Sequence, residues 1–352
     1  MSAHASFTGF SLAPYRLRLR RPLVTARGPV AFREGVILTI TDSDGARGRG
    51  EAAPLPGFTH ETAAASRAAI ERALAPFVGG PLPRSADATR ALVSTLDVPP
   101  TAAHAIDQAL LDRLGHQRGV AVAALLRDRP RPWVFVSRLI EAPEDAAAAD
   151  AEGLLIVKMK LGARPLRADV DRVQAARVAA PDVALRLDAN GCWSFEQAAE
   201  AIDLLAGIGV ECLEDPVADL SEMARLRGRG VAIAADAPVR DMAGLEAVIE
   251  AEAADAVVLK PMFCGGLTAA RAMLARAARA QLPGIVTTAL DAAIGRAGAL
   301  HVAAAAPGTL WPCGLDTGRL LLEDIAVGPA VQGGAMAPRG PGLGIPHPGG
   351  AS

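Results

Sequence analysis

The sequence predicts an α/β fold: a closed parallel barrel of (β/α) units preceded by an α+β domain of about 100 residues. Three observations carry this. The chain has 352 residues, half of them apolar and only 3% aromatic, enough for a large core and about two domains. From about residue 133, short β-rich runs recur roughly every 25 residues, each followed by an amphipathic helical stretch, as βα units require. Charged residues also cluster at the carboxyl ends of those runs, the face on which parallel barrels build their sites.

The first domain, expected over residues 1–105, reads as mixed. Residues 15–19 and 35–41 alternate like antiparallel strands, and Asp42-Ser43-Asp44-Gly45 is a turn signal. Residues 61–74 read as a helix, and 102–114 as another ending at Gly115. Eight strands are then expected at 133–137, 154–160, 184–188, 210–214, 231–236, 256–260, 284–288 and 309–313, within a barrel domain over 106–322. The helix over 194–205 opens on a capping box, Ser194 with Gln197, and Gly207 and Gly209 mark its end. Residues 323–352, rich in Gly and Pro at their end, are expected to return to the first domain.

The net charge of −2 comes with no basic stripe or polybasic patch, so neither nucleic acid nor a membrane surface is an expected partner. No stretch has the apolar length of a membrane span. The first residues lack the order of a signal peptide, and the four cysteines form no CxxC pair, so reduced thiols and a cytoplasmic location are expected. The spacing does not fix the oligomeric state.

The strand ends carry the chemistry. VKMKLG (157–162) puts Lys158 and Lys160 two residues apart, so both point to the same side of the strand, into the barrel, and Val157 and Met159 point toward the helices. Asp188, Glu214 and Asp236 end the next three strands, and Lys260 ends the sixth. Two carboxylates about 5 Å apart repel by roughly 3 kcal/mol at an effective dielectric of about 20, so three convergent acids call for a cation. Three carboxylates without His or thiolate suit a hard ion, Mg²⁺ with Mn²⁺ as a substitute. A metal and a second ammonium would lower the pKa of Lys160 toward that of a working base. A metal between two lysines suits removal of a proton next to a carboxylate, so the expected partner is a small carboxylate substrate.

These motifs resemble those of the enolase superfamily, in its muconate-lactonizing-enzyme subgroup. VKMKLG is similar to the subgroup's K-x-K strand, LRLDANGCWS to its D-x-N strand, CLEDPV to its E-D-P strand, AADAPV to its fifth-strand Asp and VVLKPMFCGG to its sixth-strand Lys with Gly-Gly. The resemblance runs from about residue 15 to 338. It implies a (β/α)₇β barrel with an α+β capping domain whose loops, here 24–32 and 54–61, close over the mouth. It implies Asp188, Glu214 and Asp236 as metal ligands, Lys160 as acid/base and Lys260 as the opposing lysine. Lys158, Arg186, Asn190, Gly265, Gly266, Thr288 and Asp291 are then expected around the substrate. His60 is a further capping-loop residue that could touch it. Arg186 lies on the Asp188 side of its strand, so it could equally pair with the acids.

Within the subgroup, GRGEAAPLPGFTHET, LRLDAN with Arg186, and PCGLDTGRLLLEDI resemble the o-succinylbenzoate synthase branch. That resemblance implies a dehydration of a succinyl-hydroxycyclohexadiene carboxylate in menaquinone biosynthesis, with Lys260 as a cation over the ring. Racemases of N-acylamino acids, dipeptide epimerases and cycloisomerases share the strand-end residues. An epimerase would need an acid after the seventh strand, for which Asp291 is the candidate; the other reading of Asp291 is an N-cap. Ala237 stands where many subgroup members have Glu, which disfavours two-base racemisation. A non-enzymatic scaffold would be expected to have lost a ligand or a lysine, and none is lost.

Overall fold

The computed structural model describes residues 5–25 and 28–347. The N-terminal domain is a three-stranded antiparallel meander of β1 (Phe7–Thr25), β2 (Gly28–Asp42) and β3 (Arg47–Ala52). Three helices cover it: α1 (Ala63–Leu74), α2 (Ala86–Val93) and α3 (Pro100–Arg118). Both expected strands fall inside longer ones. The expected capping loop over 24–32 is instead largely the β1–β2 hairpin, paired from Leu23↔Val30 to Thr25↔Gly28, with Ala26 and Arg27 outside the described residues.

Sequence reasoning missed β3, because RGRGEA carries two glycines and no β-branched residue. Those glycines let the strand press onto α3. A Cβ on Gly48 would sit 2.0 Å from Ala109 O, and one on Gly50 1.9 Å from Ala105 O. The third helix also runs past the expected stop at Gly115, ending at Gly119 in the left-handed region (φ 68°). It is buried almost throughout, so it has little of the polar face by which a helix shows its length. The expected division at 105/106 falls inside this continuous helix.

A short helix α4 (Val122–Leu126) and strand β4 (Val134–Phe135) lead into the barrel. Its strands are β5 (Ser137–Ile140), β6 (Ile156–Lys160), β7 (Ala184–Asp188), β8 (Val210–Glu214), β9 (Ala232–Ala235), β10 (Ala256–Leu259) and β11 (Gly284–Val286), paired in chain order and all parallel. Residues 309–314 close the ring as the expected eighth strand. Gly284 N donates to Thr309 O and Gly314 N to Val286 O on one side, and on the other Cys313 N donates to Phe135 O and Ser137 N to Cys313 O. The expected first strand is split, since Val136 N turns to Gly334 O while β4 pairs with β12 (Ala335–Met336).

The outer helices are α5 (Glu144–Ala151), α6 (Leu166–Ala179), α7 (Phe195–Leu205), α8 (Leu220–Leu226), α9 (Met242–Glu250), α10 (Leu267–Arg279) and α11 (Ala293–Ala305). The capping box of α7 is present, with both reciprocal bonds. Strand alternation sorts the core as expected. Val157, Met159, Val257 and Leu259 pack outward with helix residues such as Val173 and Leu274. Cys212, Ala234, Ala256, Val258 and Ile285 fill the barrel interior. All four cysteines are free. Among the described residues no helix is long and apolar enough to cross a membrane.

Two buried carboxylates of the first domain cap barrel helices. Glu51 of β3 accepts from Ala292 N (2.8 Å) and Gly295 N (2.7 Å) at the start of α11, and from Tyr15 Oη (2.6 Å). Asp107 of α3 accepts from Leu267 N (2.7 Å) and Thr268 N (3.1 Å) at the start of α10. Each satisfies N–H groups that a helix start leaves unpaired.

Candidate active site

The carboxyl ends of the barrel strands surround one pocket. Lys158, Lys160, Asp188, Asn190, Asp236 and Lys260 line it, as do Thr287 and Thr288 after β11. Strand pairing fixes much of this placement. Lys160 is level with Asp188, Asp188 with Glu214, and Glu214 with Ala234, two residues before Asp236. The first domain supplies Leu55 and Phe58 from the 54–61 loop. His60 of that loop is exposed and outside the lining.

The two lysines of β6 meet different partners. Lys158 Nζ sits between two acids, 2.8 Å from Asp188 Oδ2 and 2.5 Å from Glu214 Oε2. Burial pulls its pKa down, but Asp188, Glu214 and Asp236 together hold it well above the ordinary lysine range. Lys160 Nζ instead meets the neutral Asn190 Oδ1, at 3.4 Å. Burial lowers its pKa, and the ammonium groups of Lys158 and Lys260 add to this against the pull of Asp188. So one lysine is a fixed cation and its neighbour is shifted toward the neutral base. Across the mouth, Lys260 Nζ pairs with both oxygens of Asp236.

The acids differ as well. Burial alone would raise Asp188, yet Lys158 and Lys160 hold it below the ordinary carboxylate range. Burial raises Glu214, and Lys158 offsets this only in part. Asp215 is not a pocket residue. Its carboxylate accepts from Asp236 N (2.9 Å) and Ala237 N (2.8 Å), and it occupies the left-handed region at φ 42°. It therefore fixes the backbone that presents Asp236. Asn190, at φ 51°, likewise bonds Asp188 through its backbone N (3.0 Å) and side-chain amide.

Asp188, Glu214 and Asp236 offer only carboxylate oxygens, the donor set of a hard divalent cation. In this structure they are drawn onto Lys158 and Lys260. Among the described residues, the one set of three His, Cys, Asp or Glu side chains whose donor atoms all lie within 4.8 Å of one another is Asp112, His116 and His347.

Four expected substrate contacts are placed elsewhere. Arg186 does point into the barrel, but its buried guanidinium turns away from the mouth to Glu211, to Pro312 O (2.5 Å) and over the Trp311 ring. Gly265 and Gly266 form the approach to α10; a Cβ on Gly266 would lie 2.8 Å from the Asp107 side chain. Gly266 thus admits the Asp107 cap. Asp291 is buried, accepts from Ala289 N at 3.1 Å and lies near Glu51 and Arg33. It does not cap α11 either; Glu51 does so from the other domain. Burial, then Glu51, pushes its pKa up to about 7.

Sequence reasoning also missed lining residues. Ser137, Leu139, Phe263, Asp316 and Thr317 face the pocket. Thr317 Oγ1 lies 2.6 Å from Thr288 Oγ1, and Asp316 accepts from Arg138 Nε at 2.6 Å. The LDTGRL segment, just after the eighth strand, was the available signal for Asp316 and Thr317.

Comparison with known proteins gives matches across the chain. The family model described as "Enolase C-terminal domain-like" matches residues 141–347. That described as "Mandelate racemase / muconate lactonizing enzyme, N-terminal domain" matches residues 10–127. The o-succinylbenzoate synthase of Mycobacterium ulcerans (strain Agy99) is 41% identical over 201 residues, covering 56% of this chain and 60% of that protein. The match thus spans less than two thirds of the length of that relative. The dipeptide epimerase from Enterococcus faecalis V583, complexed with Mg and the dipeptide L-Leu-L-Tyr, superposes with a TM-score of 0.89 at 25% identity, covering 97% of this chain and 100% of that one. The muconate lactonizing enzyme from Pseudomonas fluorescens, complexed with muconolactone, gives 0.89 at 25% identity, with 97% of each chain covered.

Proposed function

We propose, from the premise that the chain belongs to the enolase superfamily with its mandelate racemase/muconate lactonizing enzyme domains, that this enzyme is an o-succinylbenzoate synthase. It would dehydrate 2-succinyl-6-hydroxy-2,4-cyclohexadiene-1-carboxylate to 2-succinylbenzoate. The observation that carries the reading is the 41% identity to the M. ulcerans synthase over 201 residues of this chain. The position of Asp291 supports it, because a carboxylate turned inward onto Ala289 N is poorly placed to receive a dipeptide's amine.

Asp188, Glu214 and Asp236 would hold Mg²⁺, with Mn²⁺ as a substitute, which supplies positive charge opposite the carboxylate oxygens as negative charge builds there. Lys160, shifted toward its neutral form, takes the proton from the carbon bearing the ring carboxylate. The electron pair enters that carboxylate as an enediolate. As it returns, the C6–O bond breaks, Lys160 gives its proton to the departing hydroxide, water leaves and the ring becomes aromatic. Lys260, paired with Asp236 across the mouth, would face the ring as a cation. Lys158 keeps its charge beside the acids. Leu55 and Phe58 line the pocket from the first domain and would pack on the ring.

The test is an ultraviolet assay of diene loss with Mg²⁺ and with chelator. Metal-dependent turnover that falls by about 10²-fold or more in Lys160→Ala supports the assignment. No turnover, in a protein whose melting temperature still rises with Mg²⁺, overturns the substrate. N-acylamino acids and dipeptides would then be screened for α-proton exchange in D₂O.

A further inference from the structure

We propose that Asp112, His116 and His347 form a second metal site, one for Zn²⁺, that fastens the C-terminal segment to α3. Asp112 and His116 are one turn apart on α3, and His347 arrives from the segment that follows β12. Their donor atoms lie within 4.8 Å of one another. His116 Nε2 is 3.4 Å from Asp112 Oδ1, and His347 Nε2 is 4.0 Å from Asp112 Oδ2. Tetrahedral bonds of about 2.0–2.1 Å separate ligand atoms by roughly 3.3 Å, so the first pair already has the required spacing and the second needs a small approach.

His116 Nε2 and His347 Nε2 are both shielded from water, and neither has a hydrogen-bond partner. Buried polar atoms are seldom left unpaired, so two orphans facing one carboxylate point to a missing third party. The carboxylate is also pre-set. Asp112 Oδ1 accepts from Leu343 N (2.7 Å) and Oδ2 from Arg49 N (2.8 Å), which fixes its plane and leaves each oxygen a second lone pair. Room is kept beside it, since a Cβ on Gly342 would fall 2.2 Å from Asp112 Oδ1 and 2.7 Å from His116 Nε2.

Two imidazoles and one carboxylate suit a borderline ion such as Zn²⁺ better than Mg²⁺, which separates this site from the all-oxygen one in the barrel. The fourth position opens toward the turn at Asp44–Arg47 and would take water. Arg47 and Arg49 are nearby positive charges that moderate the affinity; Arg49 is itself tied to Ile345 O and Pro346 O.

The test is titration of the full chain with Zn²⁺ in excess Mg²⁺, by calorimetry. One equivalent should bind, weaken by at least about tenfold in His116→Gln and in His347→Gln, and persist in Asp188→Asn. No binding, or binding that both His variants keep, overturns the proposal. If a His variant fails to fold, zinc-edge anomalous scattering from wild-type crystals decides instead. A peak among the three side chains supports the site; a peak only in the barrel mouth sinks it.

Discussion

Asp107→Asn tests whether the two domains are joined by helix capping across their junction. The Asp107 carboxylate accepts from Leu267 N, Thr268 N and, at 2.5 Å, Thr268 Oγ1. Burial nonetheless outweighs these bonds and pushes its pKa up to about 6, from an ordinary 3.8. A difference of about 2 units corresponds to about 3 kcal/mol by which the fold disfavours the ionised form. Between about pH 4 and 6 the folded protein keeps a proton that the unfolded chain has released. The stability from this group is therefore fully present below about pH 3.8 and is lost as pH rises through about 6. Asn keeps an acceptor oxygen for the helix but does not titrate. The difference in urea unfolding free energy between wild type and D107N should therefore vary with pH, because only the wild type titrates at this position. Toward pH 4 the wild type should gain on the variant by about 3 kcal/mol. Asp107→Ala, which leaves three donors without an acceptor, should cost about 3 kcal/mol or more across the range. Parallel pH profiles for wild type and D107N would refute the reasoning.

Three further outcomes are expected. Gly50→Ala drives a Cβ to 1.9 Å from Ala105 O, so β3 must shift or α3 must move; the unfolding free energy should fall by about 3 kcal/mol in urea titrations, and an unchanged value would show that β3 is not pinned there. His301 is fully buried with its pKa lowered to about 4, and it accepts from Ala123 N at 3.1 Å. The unfolded chain takes up this proton first as pH falls from about 6.5 to 4, so stability is lost over that window; in His301→Gln the loss should shrink by up to about 3 kcal/mol, measured by the same titrations. Asp236→Asn should abolish the Mg²⁺-dependent rise in melting temperature, which at 100 times the dissociation constant is worth about 2.7 kcal/mol, and a rise that persists would remove Asp236 from the metal site.

The barrel was legible because its signals are local and repeated. Period-two strands ending in Lys160, Asp188, Glu214 and Lys260 state both the fold and the polar mouth. What stayed hidden depends on contacts distant in sequence. β3 has no β-rich composition, since its glycines serve the contact with α3. The end of α3 was misplaced because Gly115, which looks like a stop, is a glycine of close approach to Gly342. Gly265 and Gly266 are legible as a motif, but the reason for Gly266 is Asp107, about 160 positions earlier. Arg186 shares the inward side with Asp188, and alternation cannot say at which end of the barrel a long side chain finds its partner. Asp316 and Thr317 follow a strand with no regular pattern, so LDTGRL marks their place in the chain and closure of the ring turns them to the pocket.

The cross-domain bonds divide the mouth into two sides with different tasks. Asp107 and Glu51 cap α10 and α11, the helices that follow the strands presenting Lys260 and Thr287. Arg33 binds Ala53 O, Pro54 O (both 2.6 Å) and Leu290 O (3.1 Å), and so ties the root of the 54–61 loop to the turn after Thr288. The first domain is thus anchored on the Lys260 side. Lys160, Asp188 and Glu214 are set by barrel strands alone, through the register of β6, β7 and β8. Under the proposed reaction, substitutions at Leu55 or Phe58 should therefore change substrate preference and KM while leaving proton transfer at Lys160 in place, whereas a shift of β6 against β7 should remove it for every substrate. On that proposal, the architecture can exchange substrates without rebuilding its proton-transfer groups, because the 54–61 loop and the strands that carry Lys160 are fixed by separate sets of bonds.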